Sequence, residues 1–481
     1  MKTKITKYSI KKTAALLLIT FAGSTAYAQQ TTENLLNHLI SKNVLSQEEA
    51  DSIRSEAALE AQKNLKNEVF SIDLEARGRS EIRNGFRQLR SDTTYPAIFT
   101  SQRTRLNLNY KKEKFAAALS LQDIRTWGAA DPRSNAGTVQ VFEAWAEPFF
   151  NSNLSLRIGK QRFMLDNQRL FAQNDWRNNA GTHDAVNLIY NTDKFEAQTL
   201  FAWNQTTEGN FYTNFAPVGF SNYKSLFVNY LKWKGEHLAL TGINYYEGFQ
   251  YGGTFTKNAF NRTEHQNFRY TNGGRVEYTI GKFYATLSGY VQWGHNQVGK
   301  KLSAFYIQPE VKYTATNTEI RFGAEIKSGN NPLAKDKWAT EYDHAFQYPY
   351  GVAHRFNGTM EFFASSYPGS TKDVGLINPY FFIEQKIGEK FAVSLQNHLF
   401  YSQWIAYDSK TKKNAPNNYL GYEGDILLTY RPNKYTKIDL GFSALKADKA
   451  LEWISSGKSD YLPYWSYLQA TFNPKLLSIK K

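Results

Sequence analysis

The residues best equipped for chemistry in this chain crowd into one stretch, Gly159 to Asp184, read as GKQRFMLDNQRLFAQNDWRNNAGTHD, where Arg162, Arg169 and Arg177 stand among Asp166, Asp175 and Asp184. Carboxylates and guanidinium groups at that density can serve acid–base catalysis, ion pairing or the binding of a charged ligand. Glycoside hydrolysis needs two carboxyl groups at a fixed separation, and Asp166, Asp175 and Asp184 with Glu143 and Glu147 offer the residue type. Carboxylates set among arginines are more commonly salt-bridge partners, so these aspartates are expected to hold Arg162, Arg169 and Arg177 in position. The eight histidines, His38, His183, His237, His265, His295, His344, His354 and His398, show no metal-ligand spacing. A Ser-His-Asp esterase within a barrel wall would need a strand-borne nucleophile, and no sequence signature excludes one. The chain has no cysteine, which removes disulfides, thiolate metal sites and a cysteine nucleophile together. The expectation is a protein that is not an enzyme and that uses no metal or cofactor.

The elements that must position this stretch are strands. On its left Leu154, Leu156 and Ile158 alternate with Ser155, Arg157 and Gly159, and on its right Val186, Leu188 and Tyr190 do the same. Period-two alternation is that of a strand with two unlike faces. The connection between them is about 20 residues, far longer than a hairpin turn, and Phe163, Phe171 and Trp176 within it favour an ordered loop.

Composition narrows the class. The chain has 481 residues with Tyr 31 and Phe 33, yet its mean hydropathy is -0.55. Frequent aromatics in a polar chain suit a wall that is apolar outside and wet inside, and they argue against disorder. The strongly apolar stretch is Ala14 to Phe21, preceded by Lys2, Lys4, Lys7, Lys11 and Lys12 and followed by Ala26-Tyr27-Ala28. That pattern predicts a signal peptide over 1–28, and no later run approaches the length of a membrane helix. Loss of those five lysines takes the formal charge from +15 to about +10, a balance that favours anionic partners. Export makes nucleic acid an improbable one.

Residues 29–68 have helical spacing, with Leu35, Leu36, Leu39 and Ile40 and then Val44, Leu45, Ile53, Leu59 and Leu65. This periplasmic arm is either a coiled coil that makes the protein a homo-oligomer or a short amphipathic segment packed on the base of the main domain. From Phe70 onward the chain reads as eighteen strands, near 70–83, 101–111, 114–126, 139–149, 153–162, 184–191, 194–205, 221–233, 236–248, 268–280, 282–294, 302–314, 317–328, 375–387, 390–404, 418–431, 434–446 and 461–472. Short links such as Lys112-Glu113, Thr192-Asp193 and Pro432-Asn433 alternate with long ones at 84–100, 163–183, 206–220, 249–267 and 329–374. An even strand count with this alternation predicts an all-β fold, an 18-stranded antiparallel transmembrane β-barrel over 69–473 with a short N-terminal helical periplasmic segment and a periplasmic tail over 474–481.

Alternation then assigns faces. Asp73, Glu75, Arg77, Arg79, Glu81 and Arg83 share one side of the first strand; charge on the lipid side costs about 2–4 kcal/mol per residue near the bilayer middle, so that side faces the lumen. The same reasoning turns Arg103, Arg105, Glu143, Glu147, Glu310, Lys312, Glu319, Arg321, Glu325, Lys327, Glu423, Asp425, Lys437 and Asp439 inward, and Phe195, Phe201, Trp203, Phe391 and Leu395 outward. Arg77, Arg79, Arg83, Arg103, Arg105, Arg157 and Arg321 are the candidate pore-lining anion contacts. A bore of eighteen strands is too wide for wall side chains to fill, so water or an inserted loop must occupy it.

Gly159-Lys160-Gln161, Gln168-Arg169-Leu170, Trp176-Arg177 and His183-Asp184, with His354-Arg355-Phe356-Asn357-Gly358, Gly375-Leu376-Ile377-Asn378 and Gly421-Tyr422-Glu423-Gly424-Asp425, resemble the pattern of the alginate export family. The resemblance, to a porin-like Bacteroidetes-type barrel, implies an electropositive lumen in the outer membrane of a Gram-negative bacterium. It makes Arg169, Trp176, Arg177 and Asp184 loop residues that brace the constriction, with Lys160 where an arginine is usual and His183 where an aromatic is usual. The implied partners are outer-membrane lipids, lipopolysaccharide, the barrel-assembly machinery, and anionic solutes or an acidic polysaccharide. Three functions follow: a passive channel for small or anionic solutes, a dedicated exporter of an acidic exopolysaccharide, and a barrel that merely anchors an enzyme or adhesin.

Overall fold

The computed structural model describes residues 68–129, 138–205, 208, 210, 223–251, 265–352, 354, 356–363, 374–408 and 411–480. The signal peptide and residues 29–67 of the helical arm expected over 29–68, together with Arg355 and Tyr367-Pro368-Gly369, lie outside them. The strands are β1 (Glu68–Asn84), β2 (Ala97–Lys112), β3 (Phe115–Thr126), β4 (Gln140–Pro148), β5 (Leu154–Gln161), β6 (His183–Asn191), β7 (Phe195–Trp203) and β8 (Ser225–Lys234). There follow β9 (Leu238–Tyr251), β10 (His265–Ile280), β11 (Phe283–His295), β12 (Lys301–Thr314), β13 (Thr318–Lys327), β14 (Tyr342–Asp343), β15 (Leu376–Ile387) and β16 (Phe391–Tyr401). The last are β17 (Tyr407–Asp408), β18 (Lys413–Asn414), β19 (Tyr419–Asn433), β20 (Thr436–Ala447), β21 (Tyr464–Phe472) and β22 (Lys475–Lys480). A five-residue helix α1 (Lys337–Glu341) and a 3-10 turn at Lys449–Trp453 sit in loops.

The chain divides into two compact units. In the first, whose described residues are 68–74, 106–112 and 474–480, the start of β1 pairs antiparallel with β22, Phe70 opposite Ile479 and Ile72 opposite Leu477. Leu74 N donates to Pro474 O at 3.0 Å, and Asn109 donates to Ser71 Oγ at 3.4 Å. Residues 475–480, expected as a tail, are therefore strand. Proline at 474 explains the break from β21, since it has no N–H to continue the ladder.

The second unit, 75–105 and 113–473, is the barrel wall. Neighbours in sequence pair antiparallel from β3 to β13; the ladder then passes over β14 to β15, runs through β16, β19 and β20, and reaches β21. β21 pairs back onto β1, Phe472 opposite Ala76 and Tyr464 opposite Asn84, and β1–β2 and β2–β3 pairings complete the ring. With β14, β17 and β18 in loops and β22 in the other unit, eighteen strands close it, as the alternation predicted. Closure leaves no sheet edge, which is what a backbone in hydrocarbon requires.

Outward positions carry the apolar belt: Phe195, Phe201, Trp203, Phe391 and Leu395 are all exposed on the wall. Inward positions on β1 and β2 carry Arg77, Arg79, Glu81, Arg103 and Arg105, all buried. One irregularity matters. In the β3–β4 register Ser120 faces Glu143 but Leu121 faces Val141, so Phe142 is an extra residue in a bulge, and both Phe142 and Glu143 are buried.

Candidate functional site

Two long loops enter the bore. The first, 162–182, joins β5 to β6 and crosses from one wall to the other. At one end the Asp166 carboxylate pairs with Arg275 of β10 at 3.1 Å and accepts from Thr241 of β9 and Tyr290 of β11 at 3.0 and 3.1 Å. At the other end Asp175 pairs with Arg103 of β2 at 2.9 Å and Arg105 at 3.4 Å, with Arg77 of β1 at 4.0 Å. A loop held away from water must find donors for its carbonyls, and guanidinium groups supply several each. Arg77 donates to Asp175 O at 2.6 Å and Arg177 O at 3.1 Å, Arg103 to Arg177 O at 3.2 Å, and Arg79 to Trp176 O at 3.1 Å.

The loop's own arginines reach the wall in the opposite sense. Arg162 pairs with Glu143 of β4 at 2.7 Å, and Arg169 with Glu325 of β13 at 2.6 Å, both of the latter side chains fully buried. The expectation that Asp166, Asp175 and Asp184 hold Arg162, Arg169 and Arg177 is corrected by these distances: Asp166 and Asp175 bind wall bases, and Arg162 and Arg169 bind wall acids. A loop pairing its own charges would leave the wall charges buried and unpaired, which is the more costly arrangement.

The second loop, 328–375, joins β13 to β15 and packs on the first. Ala172 N donates to Tyr350 O at 2.9 Å and Val352 N to Gln168 O at 3.0 Å. Arg169 donates to Val352 O and to Asn357 Oδ1, both at 2.8 Å, and lies over the Tyr348 ring at 3.7 Å. A Cβ at Gly351 would stand 1.8 Å from Arg169 O, so only glycine lets the two backbones approach this closely. The Trp176 and His354 rings stack at 4.1 Å with a 3° interplanar angle, while Arg79 covers the Trp176 ring at 4.2 Å. Two apolar clusters fill the space around the loops. One gathers Phe163, Leu170 and Phe171 with Tyr245, Tyr306 and Tyr350; the other gathers Met360, Phe362 and Phe363 with Phe400, Leu445 and Trp465.

Among the candidate anion contacts, Arg77, Arg79, Arg103 and Arg105 come together on β1 and β2, buried beneath the first loop. Arg83 lies beside them, half-buried, paired with Glu81 at 2.7 Å and over the Phe86 ring at 4.2 Å. Arg157 on β5 pairs with Glu147 at 2.7 Å and Arg321 on β13 with Glu319 at 2.7 Å, each away from that group. Arg321, Arg275, Gln308, Tyr380, Phe382 and Phe356 border a cavity of about 30 Å³. Arg169, Trp176 and Arg177 sit in the loop core, the Arg177 carbonyl taking two arginine donors. Asp184 stands apart: His183 before it and Ala185 after it are buried, so its exposed side chain is on the outer face, with Lys160 its cross-strand neighbour. Asp184 and Val186 share that side, which places Asp184 outside the constriction. His183 is buried, 2.7 Å from the Tyr223 hydroxyl.

Sequence reasoning missed Phe142, which lies under Arg105 at 3.7 Å, because a bulge is invisible to strict alternation. It also gave no role to Arg87 and Glu361, which form an ion pair, nor to His354, 3.1 Å from Glu361. Their loop positions carry no periodicity; the density of arginine in Arg83-Asn84-Gly85-Phe86-Arg87 was the available signal.

The electrostatics are lopsided. Around the first loop's contact with β1 and β2 stand Arg77, Arg79, Arg83, Arg87, Arg103, Arg105 and Arg177, seven guanidinium groups, against Glu75, Glu81, Asp175 and Glu361, four carboxylates among the described residues. Burial pushes the Asp175 carboxyl up, but Arg103, then Arg77 and Arg105, outweigh it and hold it below the ordinary carboxylate range. Burial, then Arg79, Arg87, Arg177 and Arg83, push His354 well below the usual imidazole value, so it is neutral at pH 7 and its contact with Glu361 is an ordinary hydrogen bond.

A closed antiparallel ring with an apolar exterior and loops folded into a charged bore defines a porin-like β-barrel. The alginate export family model matches residues 68–464, and the chain belongs to that family. Solved structures share the fold at low identity: Pseudomonas aeruginosa OpdO at TM-score 0.56 and 11% identity, covering 86% of this chain and 100% of that one; Acinetobacter baumannii OccAB1 at 0.55 and 11%, covering 85% and 97%; and Pseudomonas aeruginosa OpdK at 0.53 and 10%, covering 84% and 98%. Among curated proteins none matches the chain by sequence. Family and fold together make it a porin-like outer-membrane channel.

Proposed function

We propose that this channel passes small anionic solutes passively across the outer membrane of a Gram-negative bacterium, with the arginine group on β1, β2 and the first loop as its selective element. The observation that carries the reading is the surplus of seven guanidinium groups over four carboxylates where the loop meets the wall. In a narrow, low-dielectric passage such a surplus lowers the energy of an anion and raises that of a cation. Arg83 and Arg87 are its more accessible members, with 32% and 48% of their side-chain surface open. The OpdK structure was solved with vanillate, a small carboxylate, which suits the same reading.

The family's description, alginate export, favours a second reading, an exporter of an acidic polysaccharide. The interlocked loops weigh against it, because a polymer needs both displaced together. Purified protein in planar bilayers separates the readings. Under a salt gradient the reversal potential should report anions more permeant than cations, and Arg83→Ala/Arg87→Ala should bring the ratio toward unity. A wild-type ratio at or below unity would defeat the anion reading. Unchanged acidic exopolysaccharide secretion in a deletion strain counts against the exporter.

A further inference from the structure

Among the described residues the buried wall acids of this barrel are matched by bases, except at one pair. Glu81 has Arg79 and Arg83, Glu143 has Arg162, Glu147 has Arg157, Glu247 has Arg269, Glu325 has Arg169, and Asp439 has Lys437. Glu423 and Asp425 stand two residues apart on the inward face of β19, 0% and 5% exposed. Among the described residues no lysine or arginine forms an ion pair with either, and the one titratable base near them is His398 of β16, its Nε2 4.0 Å from Asp425 Oδ2.

His398 does not supply the charge. Asn378 uses its amide N–H on Phe356 O at 3.0 Å, so its Oδ1 faces His398 Nδ1 at 3.2 Å as an acceptor. Nδ1 therefore carries a ring proton, and a second proton on Nε2 would be buried with no acceptor in hydrogen-bond range, so the ring is neutral and turns a lone pair toward the acids. Nε2, Glu423 Oε2 and Asp425 Oδ2 are all buried without a partner. The two side chains share one inward face and end beneath the adjacent residues Thr359 and Met360. Two carboxyl groups can share a hydrogen bond only when one of them keeps a proton, and two bare carboxylates buried without a cation carry a heavy desolvation cost.

The remaining oxygens hold the second loop. Met360 N donates to Glu423 Oε1 at 2.7 Å, Thr359 Oγ1 donates to Asp425 Oδ1 at 2.5 Å, and Thr359 also touches Ser443 Oγ of β20. Gly358 lies against Glu423; a Cβ there would stand 2.4 Å from its Oε1.

We propose that Glu423 and Asp425 share one proton, and that this proton fastens the second loop to the barrel wall. Its loss in alkaline solution sets two negative charges side by side beneath Thr359 and Met360. The other groups around the pair supply no ion-pair partner: Gln396 and His398 on β16 are neutral, Ser443 on β20 is a hydroxyl, Asp439 of β20 is already paired with Lys437 at 2.7 Å, and Arg79 of β1, which neighbours Tyr467 of β21, is paired with Glu81 at 2.8 Å. The segment carrying Met360, Phe362 and Phe363 then leaves its apolar cluster and the bore widens.

The cysteine-free chain permits a direct test that does not depend on the channel reading. In full-length protein, Met360→Cys is buried while the loop is fastened. Its maleimide labelling at alkaline pH should run roughly fivefold faster than in Met360→Cys/Glu423→Gln at the same pH, a loss of local protection. The glutamine keeps the acceptor for Met360 N and replaces the shared proton with a permanent N–H, and comparison at one pH cancels the intrinsic reactivity of the thiol. Equal rates in the two variants would overturn the proposal, as would a rate that follows added calcium or chelator instead of pH, since a metal ion would then be the fastener. Asp425→Asn in the same background should also suppress the rise, which guards against one substitution failing to fold. In bilayers the wild-type conductance should climb at alkaline pH and that of Glu423→Gln stay level. A silent bilayer would defeat the channel reading while the labelling still decides this one.

Discussion

Arg169 and Asp175 show how much single side chains carry here. Arg169 and Glu325 are both fully buried and paired at 2.6 Å, so removing either strands the other's charge. Arg169→Ala or Glu325→Ala should each destabilise the barrel by about 3–5 kcal/mol, whereas replacing both with apolar residues of similar volume should cost much less; urea unfolding in detergent measures all three. Asp175 makes a second prediction with a defined sign. Its folded value lies below the ordinary 3.8 because Arg103, Arg77 and Arg105 outweigh burial. Its stabilising contribution is thus complete above the ordinary carboxylate range and disappears as pH falls through the depressed folded value. Conductance should therefore be indifferent to this corner between pH 7 and 5 and change only in strong acid. Asp175→Asn should reproduce the acid state at neutral pH and raise anion preference, because the arginines lose a counter-charge; a preference unchanged or lowered would contradict this.

At the scale of elements, two loops that are distant in sequence behave as one insert. They exchange backbone hydrogen bonds at Ala172 and Val352, and Gly351 lies against the Arg169 carbonyl. Gly351→Ala has no room without shifting one backbone, so it should separate the loops and raise single-channel conductance; an unchanged conductance would mean that the contact is not limiting. The wall strands were legible because alternation is local: each strand reports its two faces from its own residues. Even so, the bulge at Phe142 escaped, since one extra residue changes the facing of its neighbours without altering composition. The β22 strand escaped as well, because Lys475 to Lys480 is short and charged and its strand character comes from pairing with β1. The loops were legible in length and aromatic content but not in destination.

Over the whole molecule the bore is neither a bare pore nor a solid core. Charged walls, inserted loops and two apolar clusters divide it, and the surface we propose as selective is the part of the arginine group left open, Arg83 and Arg87. The sequence alone determined the strand count, the apolar exterior, the charged interior, and the one stretch dense enough in charge to matter. All of these depend on residues within a few positions of each other. Tertiary structure alone decided which acid meets which base: Asp166 with Arg275, Arg169 with Glu325, Asp175 with Arg103, and Glu423 with no ion-pair partner among the described residues but Asp425 for a neighbour. Those pairings join residues far apart in the chain that meet only once the ring has closed and the loops have turned inward. A period of two can say that a charge faces the bore; only the closed ring fixes what it finds there.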